Sequence, residues 1–169
     1  MEDLNRVSDE ELELMLKESP RAQAAMNFFY EGYNCSQSIM LAFEDIHNLD
    51  RKTALQMSCS FGGGMGRLRE VCGGVSGMFM VLGLVYGYDD PKDVQAKKEQ
   101  YERVQALAAE FKELNGSIVC RDLLGLKENG PQPPTPEERT PEYYSKRPCP
   151  KMIGSAAMIL ERYLEKYPE

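Results

Sequence analysis

The chain has 169 residues, 42% hydrophobic and 28% charged, with a formal net charge of −7. An acidic chain with no basic stripe or tail lacks the electrostatic footprint of a nucleic-acid binder and of a polybasic membrane anchor. A chain of this length buries roughly 70% of its unfolded surface, so it folds without covalent staples, and its five cysteines need another reason.

The sequence reads as helix after helix. The acidic stretch at 1–18 lacks the apolar core of a signal peptide. Ser8 and Glu11 form a capping box for a helix over Asp9–Lys17, and residues 1–20 read as an N-terminal helical extension. Ser19-Pro20 opens a second helix, with Ala24, Ala25, Phe28 and Phe29 as its apolar stripe. Asn34 and Gln37 open a third over Cys35–His47, with Ile39, Met40 and Phe43 inward. Arg51–Ser60 forms another, broken by the run Phe61-Gly62-Gly63-Gly64-Met65-Gly66.

A glycine-rich helix follows over about Val71–Tyr86. The mostly apolar run Val75–Tyr88 has 14 residues, short of the roughly 20 a membrane helix needs. The small residues Gly73, Gly74, Ser76 and Gly77 let another backbone approach, within the chain or across a homodimer, and a dimer is the weak expectation. Asp90-Pro91 caps a long helix over Lys92–Leu114, with Val94, Tyr101, Val104, Ala108 and Phe111 inward, ended by Asn115-Gly116. Ser117 caps a short helix through Leu124. Seven of the ten prolines lie between Asn129 and Pro150, which makes 129–150 a non-helical crossover loop. Tyr143 and Tyr144 pin that loop, and a last helix covers Lys151–Lys166. The expected fold is therefore a single all-α domain, 1–169, of seven or eight helices.

Cys35, Cys59, Cys72, Cys120 and Cys149 are separated by 24, 13, 48 and 29 residues, and no CxxC occurs. In a cytosolic chain, the expected compartment, thiols stay reduced. Cys35, Cys72, Cys120 and Cys149 each fall within a turn of a predicted helix start, where free amides and the helix dipole favour a thiolate. A thiolate is both a nucleophile and a metal ligand, so these four are the candidate catalytic and metal-binding residues. Cys59, near a helix C-terminus, reads as a buried packing residue. The glycine run resembles a phosphate nest but lacks GxxxxGK[ST] spacing and a preceding strand, so a structural loop is the preferred reading. Gly63, Gly64 and Arg67 remain its candidate cofactor contacts, with Arg67 and Arg69 able to stabilise an anion beside Cys72. His47, the single histidine, reads as a surface cap.

Gly32-Tyr33-Asn34-Cys35-Ser36-Gln37-Ser38, Phe61–Gly66, Cys72-Gly73-Gly74-Val75-Ser76-Gly77, Gly116-Ser117, Cys120-Arg121-Asp122-Leu123-Leu124-Gly125 and Cys149 together resemble the C_GCAxxG_C_C family of redox-active proteins. The resemblance spans about Ala22–Leu164. It implies four working cysteines, falling on Cys35, Cys72, Cys120 and Cys149, with Cys59 an extra. The chain departs from the motif at Gly74, where the family has alanine.

Two redox mechanisms fit: ligation of an iron–sulfur cluster, or dithiol–disulfide cycling with an electron-transfer partner protein. A non-enzymatic domain with structural zinc at the same thiols is the alternative.

Overall fold

The computed structural model of the chain describes residues 7–169; the first six residues of the expected N-terminal extension lie outside it. Capping chemistry sets where the helices begin. Glu11 N–H donates to Ser8 Oγ at 3.2 Å and Ser8 N–H donates to the Glu11 carboxylate at 2.9 Å, opening α1 (Asp9–Glu18). Ser19 caps α2 (Pro20–Tyr30). Asn34 and Gln37 form the predicted reciprocal box at the start of α3 (Cys35–Ala42).

The third helix is shorter than the pattern predicts. Phe43 leaves helical geometry at φ −123°, and α4 (Glu44–His47) is a separate turn. His47 is buried rather than at the surface: Leu49 N–H donates to its Nδ1 at 3.1 Å, leaving Nε2–H to donate to the Met40 carbonyl at 2.9 Å. The ring splices two turns and touches no cysteine site.

After α5 (Arg51–Ser58) the chain makes a tight turn and enters the glycine run. Gly63, Gly64, Met65, Gly66, Arg67 and Arg69 all have φ between +62° and +68°. This conformation costs non-glycine residues of order 1–3 kcal/mol each.

Helix α6 (Gly73–Tyr86) follows, and its small-residue face is used inside the chain: a Cβ on Gly77 would lie 2.8 Å from that of Ile39 in α3. That face is therefore not open to a second copy. The long α7 (Val94–Asn115) starts at Asp93, whose carboxylate accepts Ala96 N–H at 2.8 Å, and not at Asp90-Pro91. Its inward stripe is Gln100, Leu107, Phe111 and Leu114. Val94 and Tyr101, expected inward, are 73% and 57% exposed, because the true stripe starts one residue earlier in helical phase. Asn115 ends the helix and Gly116, at φ +92°, caps it as predicted.

The single turn α8 (Cys120–Leu123) precedes the proline-rich segment. That segment is not wholly non-helical: Thr140 caps, and Pro141 begins, the short α9 (Pro141–Lys146). Helix α10 (Cys149–Lys166) is the centre of the core. Its Ile153, Ala156, Ala157, Ile159 and Leu160 are almost wholly buried, and it packs chiefly on α2 and α6 while α6 packs on α3. Besides these ten helices the described residues hold a 3₁₀ turn at Cys59–Phe61, a short turn at Gly62–Met65 and one isolated antiparallel bridge between Val71 and Val119. No described helix is long and apolar enough to cross a membrane.

Candidate functional site

The bridge is short but it positions chemistry. Cys72 N–H donates to the Ile118 carbonyl at 2.8 Å, and Cys120 N–H donates to the Glu70 carbonyl at 2.6 Å. The segments leading into α6 and α8 thus lie side by side, and their cysteines face a common space. Cys72 is the residue immediately before α6 rather than inside its first turn. Cys120 begins α8.

The other two cysteines arrive from α3 and α10, each as the first helical residue. The Asn34 side chain fixes Cys35 from both directions: its Oδ1 accepts Gln37 N–H at 3.0 Å and its Nδ2 donates to the Cys59 carbonyl at 2.9 Å. Cys149 is followed by Pro150, whose missing N–H is no loss in a first turn.

All four predicted cysteines line one small cavity of about 20 Å³, closed by apolar residues including Leu123, Leu124 and Met152. A space of this size holds about one water. Glycines allow the convergence. A Cβ on Gly73 would lie 2.8 Å from that of Cys35. A Cβ on Gly64 would lie 2.6 Å from that of Cys120, so Gly64 is a close-approach residue under a cysteine.

The four thiols are not equivalent. A hydrogen bond from Cys35 lowers the Cys149 thiol to about 7 despite its burial, and the guanidinium groups of Arg147, Arg69 and Arg139 act in the same direction. Cys35 is pushed well up, first by that same bond to Cys149, then by burial and by the other thiols. Burial pushes Cys72 up to about 12, against the opposing pull of the Gly74 and Val75 amides. Burial also raises Cys120, although Arg69 Nη1 donates to its sulfur at 3.6 Å. Ionisation of the pair therefore falls first on Cys149, with Cys35 staying the thiol.

Cys59 is exposed and does not pack in the core; its S–H donates to the Gln56 carbonyl at 3.1 Å. It borders a second, larger cavity of about 290 Å³ that adjoins the first and shares Cys35, Cys120 and Cys149 with it. Gly63 and Arg67 line this cavity as well, with Arg69, Arg139 and Arg147. Sequence reasoning named Arg67 and Arg69 but missed the other two. Arg147 had a signal, two residues before a cysteine; Arg139 had none, because it reaches the site only through the fold of the proline-rich segment.

Among the described residues, no three His, Cys, Asp or Glu side chains come together closely enough to hold a metal ion. A protein-family model described as "Putative redox-active protein (C_GCAxxG_C_C)" matches residues 33–163. No curated protein and no solved structure matches the chain.

Proposed function

The chain belongs to the C_GCAxxG_C_C family of redox-active proteins, and from that premise we propose that it is a cytoplasmic thiol–disulfide exchange protein in which Cys149 attacks and Cys35 resolves. The observation that carries this reading is the meeting of Cys35 and Cys149 in one small cavity, with the Cys149 thiol lowered and the Cys35 thiol raised by their contact. An attacking thiol works best with a pKa near the ambient pH, and its partner must stay protonated until the mixed disulfide forms.

The Cys149 thiolate attacks one sulfur of a disulfide R–S–S–R. The S–S bond breaks, one RS⁻ leaves, and Cys149–S–S–R forms. Cys35 then loses its proton to the departing RS⁻ and attacks Cys149 Sγ. The second RS⁻ leaves and a Cys35–Cys149 disulfide remains. The protein gives up two electrons and the substrate gains them; an electron-donating dithiol partner returns the protein to its reduced form.

The test is to treat the reduced protein with 2-hydroxyethyl disulfide and map the products by mass. The expected products are a Cys35–Cys149 disulfide in the wild type, a trapped mixed disulfide on Cys149 in Cys35→Ser, and neither in Cys149→Ser. Products on other cysteines alone would overturn the assignment.

A second reading rests on the donor set. Four thiols from four separate chain segments border one apolar cavity, and Cys₄ coordination suits an iron–sulfur cluster, which would supply electron transfer when bound; as they stand, no three of them are close enough together to hold a metal ion, so the thiols would have to move to take one up. Iron and acid-labile sulfide in stoichiometric amounts after anaerobic purification would favour it over thiol exchange.

A further inference from the structure

The 290 Å³ cavity carries a charge that runs against the rest of the molecule. The chain has a net charge of −7, yet Arg67, Arg69, Arg139 and Arg147 all open onto this space, with Glu137 their one carboxylate neighbour on its wall. Glu137 is already committed. It pairs with Arg147 and stands 3.7 Å from Arg67.

The other two guanidiniums have no carboxylate within ion-pair distance among the described residues. Arg69 is only 4% exposed, with its Nε donating to the Gln132 side-chain oxygen at 2.8 Å and its Nη1 to Cys120 Sγ at 3.6 Å. Arg139 lies over the Phe29 ring at 4.3 Å and donates to the Phe29 and Tyr33 carbonyls at 3.4 and 3.5 Å. Burying a cation without a counter-charge costs several kcal/mol in general. The chain also holds Arg67 and Arg69 in left-handed backbone, at φ +68° and +62°. Against four guanidiniums the wall sets only the Glu137 carboxylate and the Cys149 sulfur, and a cavity with that excess of positive charge is built to receive negative charge.

We propose that this cavity binds the carboxylate groups of a small anionic disulfide and presents its S–S bond to Cys149. The inference rests on the exchange reading above and adds the substrate class. The volume suits a small molecule rather than a folded protein chain, since it lies at the low end of small-molecule pockets, roughly 300–1,000 Å³. Positive walls do two things for the chemistry. They draw the anion in, and they stabilise the thiolate that leaves when the S–S bond breaks.

The experiment compares three disulfides of similar size with the reduced full-length protein: 3,3′-dithiodipropionate, a dianion; 2-hydroxyethyl disulfide, neutral; and cystamine, a dication. The rate of modification at Cys149 is read by quenching and mass mapping. The expected order is dianion, neutral, dication, with roughly a tenfold or greater advantage of the dianion over the dication at low salt. That advantage shrinks as sodium chloride is raised. Arg67→Gln should lower the dianion-to-neutral rate ratio several-fold, and the ratio cancels any change in the reactivity of Cys149 itself. If that variant does not fold, the salt dependence of the wild type carries the same test. Equal rates for all three, or cystamine fastest, would overturn the inference while leaving exchange at Cys149 intact. No adduct on Cys149 with any of the three would remove the exchange reading and this inference with it.

Discussion

Two thiols of the same residue type end up on opposite sides of their ordinary pKa first because each is the other's hydrogen-bond partner, and then because the arginines favour charge on Cys149. Cys149 gains a donor in Cys35 and the field of Arg147, Arg69 and Arg139; Cys35 gains a negative neighbour and burial. The sign of the pH dependence follows. Below about 7 Cys149 is a thiol and reacts slowly; its alkylation rate should rise through about pH 7 and then level off. In Cys35→Ala the donor is gone, so the midpoint should move up toward the ordinary thiol range, as measured by iodoacetamide kinetics against pH. Cys59 offers the contrast. Its side chain is exposed, so Cys59→Ala leaves no buried cavity and should change unfolding free energy by less than about 0.5 kcal/mol in urea melts.

The glycine-rich helix α6 decides how closely the cysteine-bearing helices can meet. Gly77 lets it approach α3, and Gly74 lets it approach Ile153 of α10, with 3.4 Å between a notional Cβ and the Ile153 Cα. The alanine of the family motif would make only ordinary contact at Gly74, so the departure there is tolerated by the packing. Gly77 is different. Gly77→Ala would put a Cβ 2.8 Å from Ile39 Cβ and 3.0 Å from the Ser36 carbonyl, and should destabilise the protein by about 1–3 kcal/mol. Gly83 lies in the same helix with nothing within 4 Å of its missing Cβ. Gly83→Ala should therefore stabilise by about 0.5–1 kcal/mol, the ordinary gain of alanine over glycine in a helix. Opposite shifts in the urea midpoint of these two variants would check the assignment; a loss in both would contradict it.

At the scale of the whole molecule, the proline-rich segment is a wall of the site. Its backbone is tied to the glycine run, with Gln132 N–H donating to the Arg67 carbonyl at 3.0 Å and Arg67 Nε donating to the Pro133 carbonyl at 2.6 Å. Its far end is fixed to α2 by Arg139 over Phe29 and by the Tyr144 ring, 5.9 Å from that of Phe29. The predicted tyrosine pin is thus present, with an arginine beside it. Arg139→Ala removes a stacked cation worth about 1–2 kcal/mol, roughly a tenfold change in the local opening equilibrium. Limited proteolysis between 129 and 148 should accelerate by about that factor, while the Cys149 alkylation midpoint moves up.

The sequence by itself determined the helical architecture and singled out the four cysteines that converge on one cavity, because both are written in local terms. Ser8-Glu11, Asn34-Gln37, Ser19-Pro20 and Asn115-Gly116 are signals that act within one turn, and they set helix ends at those places. The cysteines that belong together were legible from their motifs and their nearness to helix starts. Where a boundary or a facing depended on distant partners, local signals misled: α7 turned Gln100 and Leu107 inward because the core lay there, His47 became buried once α4 folded back on α3, and Cys59 stayed at the surface. Only the tertiary structure decided which thiol is acidic. That choice depends on Cys35 meeting Cys149 across the chain and on Arg147, Arg69 and Arg139 gathering around the same sulfur, and neither contact is recorded in sequence separation.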